Sequence, residues 1–240
     1  MRLTWGTICA SVLAALSLAV SGCAAEVPDR SAEPARHTSA HPSGPAPVRL
    51  LRLLARVRIA ETSYAAGYDR SCAPGHGCVF GEEWTDEYAG PDDRVGCDTR
   101  EDVLLHQMSD IQRRWGDPCR IYQATLTDPY TGARLTWRHD GYRIQIDHVY
   151  PLAQAWYAGA SRWPLSRRVR FANDVRRELL AVGAAVNDDK GSRTPAAWLP
   201  PRVSFRCTYL AKYLTVAAAY DLSVTPADAA TVRAYAPRCR

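Results

Sequence analysis

The sequence predicts one α+β domain, a small ββα core wrapped by helices and stapled by disulfides. Three observations predict it. Apolar residues alternate over short runs in the middle of the chain, as half-buried strands require, and recur at helical spacing on either side. Six cysteines, Cys72, Cys78, Cys97, Cys119, Cys207 and Cys239, follow a leader that takes the chain out of the cytoplasm, where thiols oxidise in pairs. The stretch from about Val48 to Arg240 is the size of one domain and holds enough Leu, Val, Ile, Trp and Tyr for a single core, without internal repeats.

Taken in order, residues 1–22 read as a leader. After Arg2 a mostly apolar run from Leu3 to Val20 ends in Val20-Ser21-Gly22-Cys23. This resembles a bacterial lipoprotein signal, in which Cys23 is diacylated and becomes the new N-terminus. The alternative is an ordinary signal peptide cleaved after Ala25, because Cys23-Ala24-Ala25 fits a small-x-small site. Both readings export the chain; the first anchors it by lipid to the outer face of the cell membrane, the second secretes it. Residues 23–47, rich in Pro, Ser and Ala, bury too little surface to offset their ordering entropy and read as a flexible tether. Residues 48–240 then form the domain.

Within it, Thr99 and Asp102 form a T-x-x-D cap for a helix carrying Val103, Leu104, Met108 and Ile111. Arg120 to Leu126 is strand-like, and Asp128-Pro129 is a turn. Arg134 to Trp137 and Tyr142 to Ile146, joined through His139, Asp140 and Gly141, suggest a hairpin. Leu179 to Val182 is a further short strand and Ala184 to Lys190 a helix, which places the ββα core at about residues 134–198. Thr194-Pro195 begins a helical turn. Ser204 to Tyr220 carries Tyr209, Leu210, Tyr213, Leu214 and Ala217 on one face, and Thr225-Pro226 starts a last helix. Among the cysteines, Cys72 with Cys78 is the easiest pair, since Pro74, Gly75 and Gly77 allow a tight turn; Cys97 with Cys119 and Cys207 with Cys239 complete the set. A zinc reading of Cys72, His76 and Cys78 has too few ligands.

The chemistry concentrates in Ile144 to Pro151, IQIDHVYP, and Asn187 to Lys190, NDDK. A strand delivers Asp147 and His148 to its end, and a helix adds an amide and an amine. Phosphodiester hydrolysis needs a base for water, a hard divalent cation on the phosphate oxygens and positive charge for the transition state. His148 suits the base, with an ordinary pKa of about 6.5. Asp147 and Asn187 supply oxygen ligands, which suit one Mg²⁺ or Mn²⁺. Lys190, one turn beyond Asn187, either reaches a phosphate or is a solvated cation at a helix end. Neighbouring strand residues face opposite ways, so Asp147 and His148 share a site only if the strand ends or bends there, as Pro151 suggests.

These residues resemble an HNH nuclease of the ββα-metal superfamily, and most closely the small exported bacterial proteins related to the C-terminal domain of GmrSD-type restriction endonucleases. GCDTREDVL from Gly96, LTDPYTG from Leu126, DHVYPLAQAW from Asp147, FAND from Phe171, LLAV from Leu179, NDDKG from Asn187 and AAWLPP from Ala196 look like family landmarks in family order. The resemblance covers roughly Tyr64 to Pro226. It implies that His148 is the general base, that Asp147 and Asn187 bind the metal, and that Lys190 is the recurrent lysine after the last ligand. Family members place an Asn immediately before the strand that reads LLAV, where it orients the catalytic His; this chain has Glu178. Glu178 then orients His148 as a carboxylate, adds a metal ligand, or marks a weakened enzyme.

The formal charge is +5, and removing residues 1–22, whose one charged side chain is Arg2, leaves +4. Placement carries more than the total: Arg162, Arg167, Arg168, Arg170, Arg176 and Arg177 lie between His148 and Asn187, interleaved with Trp163 and Phe171. They form either a phosphate-backbone patch or a solvated helix face. No GxxxxGK loop, recognition helix or nucleophile elbow is present. The expectation is a metal-dependent endonuclease acting on DNA with weak sequence selectivity; the alternative is a catalytically degenerate surface lipoprotein on the same scaffold, with a binding or structural role.

Overall fold

The computed structural model describes residues 46–87, 96–138 and 143–239. The leader, Cys23, the tether as far as Pro45 and the turn at His139 to Gly141 lie outside them. Helix α1, Ala46–Leu54, begins inside the stretch read as tether; its Leu50 and Leu54 are buried.

Helix α2, Thr99–Gln107, starts one residue earlier than its T-x-x-D pattern implies. The cap is Asp98, whose Oδ1 accepts the Glu101 N–H at 2.8 Å, while Thr99 is buried and donates its hydroxyl to Thr85 O. Asp98, one residue before Thr99, takes the capping position instead. The helix also ends at Gln107, and Ile111, expected on it, belongs to strand β1, Ser109–Arg114. Strands β1, β2 (Asp117–Thr127) and β3 (Arg134–Arg138) form an antiparallel sheet in that order.

The expected hairpin of Arg134 to Trp137 with Tyr142 to Ile146 does not form among the described residues. β3 pairs with β2, Leu126 opposite Leu135, because the Asp128 carboxylate accepts from Tyr130 N and Thr131 Oγ1 and closes the connection between those two strands. β4, Ile144–His148, pairs instead with β5, Leu179–Gly183, in a second sheet whose register runs from Ile144 opposite Gly183 to His148 opposite Leu179. Helix α5, Ala184–Lys190, follows at once and completes a ββα unit. Its two strands are separated in sequence by α3 (Leu152–Ala158) and α4 (Leu165–Ala172). Gly183 sits at the junction, where a Cβ would come within 3.1 Å of Asp128 Oδ2 and 3.2 Å of a Leu135 methyl.

The two-stranded sheet lies between two apolar clusters. Ile144, Ile146, Leu179 and Ala181 join Val103, Leu104, Ile121 and Leu126 of α2 and β2. Val182, Val149, Tyr150 and Val186 join the second cluster, with α6 (Arg206–Tyr220) and α7 (Pro226–Tyr235); there Tyr150 stacks on Tyr213 at 4.7 Å. Each large side chain so buried contributes about 1.5–3 kcal/mol. On the free edge of β5, Gln107 donates Nε2 to Leu179 O and accepts from Ala181 N through Oε1, so a side chain replaces the missing strand. α7 carries the expected cap, Thr225 and Asp228 bonding reciprocally. All three expected disulfides form: Cys72–Cys78, Cys97–Cys119 and Cys207–Cys239.

Candidate functional site

β4 ends at His148, and Asp147 and His148 both line one cavity of about 680 Å³. Gln145 and Asp147, two apart on the strand, meet Asn187 and Lys190, three apart on α5. Asn187 Nδ2 donates to Gln145 Oε1 at 2.7 Å, and Lys190 Nζ donates to Asp147 Oδ1 at 2.8 Å. The helical step and the strand step match closely enough for both bonds to form.

Lys190 is fully buried and donates a second hydrogen bond to His148 O at 3.0 Å. Neither a phosphate contact nor a solvated helix-end cation describes it: it clamps the end of β4. The other Asp147 oxygen, Oδ2, accepts the Tyr130 hydroxyl at 2.5 Å. Burial pushes the Asp147 carboxyl up and the Lys190 ammonium pulls it back; burial and the Asp147 charge push the Tyr130 phenol well up. The result is a buried carboxylate held from two sides.

His148 is half-buried. Its Nε2 lies 2.9 Å from Ala172 O at the end of α4, and Trp84 stacks on the ring at 5.8 Å and 16°. A carbonyl only accepts, so Nε2 carries the proton and Nδ1 keeps a lone pair. Burial lowers the imidazole pKa to about 4, with the Lys190 and Arg70 charges adding to the effect and the Ala172 bond opposing it. The ring is neutral at pH 7, as a base must be.

Glu178 neither orients His148 with its carboxylate nor stands in the cavity as a metal ligand. It precedes β5, whose register sets Leu179 opposite His148, so residue 178 falls beside the turn after β4. Its carboxylate accepts Tyr150 N at 3.1 and 3.3 Å, its carbonyl accepts Val149 N, and it does not line the cavity. The Ala172 carbonyl orients His148 instead. Burial, and then the Asp147 charge, push the Glu178 carboxyl well above its ordinary range.

Of the ligands expected from the sequence, Asn187 offers Oδ1, left over once Nδ2 is used on Gln145, and Asp147 its remaining lone pairs; the carboxylates of Glu82, Glu83 and Asp188 line the same cavity. No group of three or more His, Cys, Asp or Glu suited to a metal occurs among the described residues. A set of one amide and one carboxylate fits Mg²⁺ or Mn²⁺, which keep several waters, rather than zinc in a closed cage.

The chain matches the model of the GmrSD restriction endonucleases, C-terminal domain, over residues 98–231, more than half its length. It belongs to that family. A protein described as an uncharacterized secreted protein from Arthroderma benhamiae is 38% identical over 144 residues, 60% of this chain and 68% of that protein. No solved structure matches the chain. No helix among the described residues is long and apolar enough to cross a membrane.

The GmrSD C-terminal domain accounts for only part of the cavity. Tyr68, Arg70, Phe80 and Gly81 to Trp84, which line one wall, precede the matched residues. The motifs LTDPYTG, IQIDHVYP and FAND contain Tyr130, Gln145 and Ala172 without marking them as site residues, and none of the quoted motifs contains the residues of this wall. The six arginines of the insert do not form a common face at the cavity. Arg167 donates to Tyr220 O and lies over Trp163 at 4.5 Å, Arg168 donates to Val79 O and Trp163 O and lies over Trp156, and Arg177 pairs with Asp174. Arg162, Arg170 and Arg176 are exposed, but the arginines that line the cavity are Arg70 and Arg100.

Proposed function

We propose that the protein hydrolyses phosphodiester bonds of DNA with one Mg²⁺ or Mn²⁺ and weak sequence selectivity. It would act outside the cytoplasm, lipid-anchored through Cys23. One observation carries the reading: a neutral His148, fixed through Nε2 to Ala172 O, shares a cavity with the oxygens of Asn187 and Asp147. His148 Nδ1 takes a proton from water as the water oxygen bonds to phosphorus; the P–O bond to the leaving sugar oxygen breaks, and that oxygen is protonated from solvent. A bound cation would neutralise the phosphate charge, with Asn187 and Asp147 holding it. Arg70 and Arg100 line the cavity and would attract phosphates, Arg100 while also donating to Ile144 O. Membership of a nuclease family and a secreted relative support the activity and the location.

A second reading is favoured by the Tyr130–Asp147–Lys190 clamp, which occupies both carboxylate oxygens of Asp147. On it the chain keeps the scaffold as a catalytically silent binding protein. Supercoiled plasmid decides between them, incubated with the protein and Mg²⁺ or Mn²⁺, then EDTA, beside His148→Ala. Metal-dependent nicking that the variant loses is the expected result; a folded, metal-supplied protein that leaves plasmid intact supports the silent reading.

A further inference from the structure

The β1–β2 hairpin extends past the sheet to a two-residue turn, Trp115-Gly116, between the paired Arg114 and Asp117. Trp115 is 98% exposed, and Tyr122 on the same arm is 60% exposed. A soluble protein that leaves an indole wholly in water gives up the burial such a side chain ordinarily provides. The arm is not a frayed end. Gly116, at φ +77°, supplies the left-handed residue of the turn; Asp117 Oδ1 accepts from Cys119 N and Arg120 N; and Cys119 is tied by its disulfide to Cys97 beside α2. Arg113, Arg114 and Arg120, all exposed, flank the aromatic residues along the two strands, and Asp98, Glu101 and Asp117 are acids near Arg120. None of these residues lines the catalytic cavity.

A projection that offers planar aromatic faces among guanidinium groups has the chemistry of a single-stranded nucleic-acid contact. Unpaired bases stack on Trp and Tyr whatever their sequence, and arginines take the phosphates between them. A lipid surface fits less well, because one Trp and one Tyr do not make the broad apolar face that interfacial insertion needs. The insert arginines Arg167 and Arg168, spent on carbonyls within the chain, leave the cationic work to other residues. We propose that the β1–β2 arm is a docking site for an unpaired strand, held by Trp115 and Tyr122 with Arg113, Arg114 and Arg120. It rests on the nuclease reading for the identity of the partner, but not for the binding itself.

The test is fluorescence anisotropy of a labelled oligothymidylate, and of its duplex with oligoadenylate, titrated with the full chain in EDTA at low salt. The full chain should bind the single strand more tightly than the duplex. Trp115→Ala with Tyr122→Ala should weaken single-strand binding about tenfold or more, and Arg113→Gln with Arg114→Gln should flatten its salt dependence. Unchanged binding by the aromatic variant overturns the proposal, as does equal affinity for duplex. Binding to phosphatidylglycerol vesicles that needs Trp115, without oligonucleotide binding, overturns it in favour of a membrane contact. Plasmid nicking by the same preparation reads the catalytic centre separately, so loss of cutting with intact strand binding condemns the nuclease reading and leaves the arm standing.

Discussion

Asp147, Lys190 and Tyr130 are polar groups almost wholly buried, with only Asp147 bordering the cavity. At such depth an ion pair survives through close geometry, here 2.8 Å to the ammonium and 2.5 Å to the phenol. Breaking it from one side leaves a buried charge alone. Lys190→Met should therefore cost about 3–5 kcal/mol in urea denaturation; a variant as stable as the native chain would show that the clamp holds nothing. Tyr130→Phe, which strips one hydrogen bond from the carboxylate, should cost less, about 1–3 kcal/mol by the same measurement. Glu178 gives a pH dependence whose sign is fixed by its raised pKa. A carboxyl titrating higher in the folded chain stabilises fully below its unfolded range, and that contribution is lost as pH rises through the folded value. Glu178→Gln removes this loss, so its melting temperature relative to the native chain should rise from acid to alkaline pH; a constant difference would count against a buried, proton-binding Glu178.

At the scale of elements, the geometry of the proposed site depends on three ends meeting. β4 stops at His148, α4 delivers the Ala172 carbonyl at its C-terminus, and the segment before α2 lays Trp84 on the imidazole. Trp84 has φ +60°, unfavourable for a bulky residue, and its carbonyl is pinned by Thr99 N. Trp84→Ala should free one face of the ring and lower the rate of plasmid nicking about tenfold, while the melting temperature changes little, since Trp84 lies at the rim of its apolar cluster. A rate equal to the native one would remove the stack from the catalytic account.

At the scale of the molecule, disulfides, capped helices and one ββα unit hold the fold together. Reducing Cys207–Cys239, which ties the start of α6 to the end of the chain, should lower stability by about 2–4 kcal/mol, read as the shift in denaturation midpoint between native chain and Cys207→Ser/Cys239→Ser. The sequence by itself determined what local rules govern. α5 and the start of α7 at Thr225-Pro226 follow from spacing, Cys72–Cys78 from turn chemistry and the other two disulfides from completing an even set, and the ordered motifs point to Asp147, His148 and Asn187, which the fold brings to one cavity. Tertiary structure decided what depends on partners distant in the chain. A strand carries no mark of its neighbour, so the pairing of β3 with β2 was hidden until the Asp128 turn closed. Arg168 and Lys190 look on paper like phosphate contacts, and only packing shows one spent on carbonyls and the other on a buried carboxylate. A cation's role is set by which acceptor it reaches, and that is a distance the order of residues does not contain.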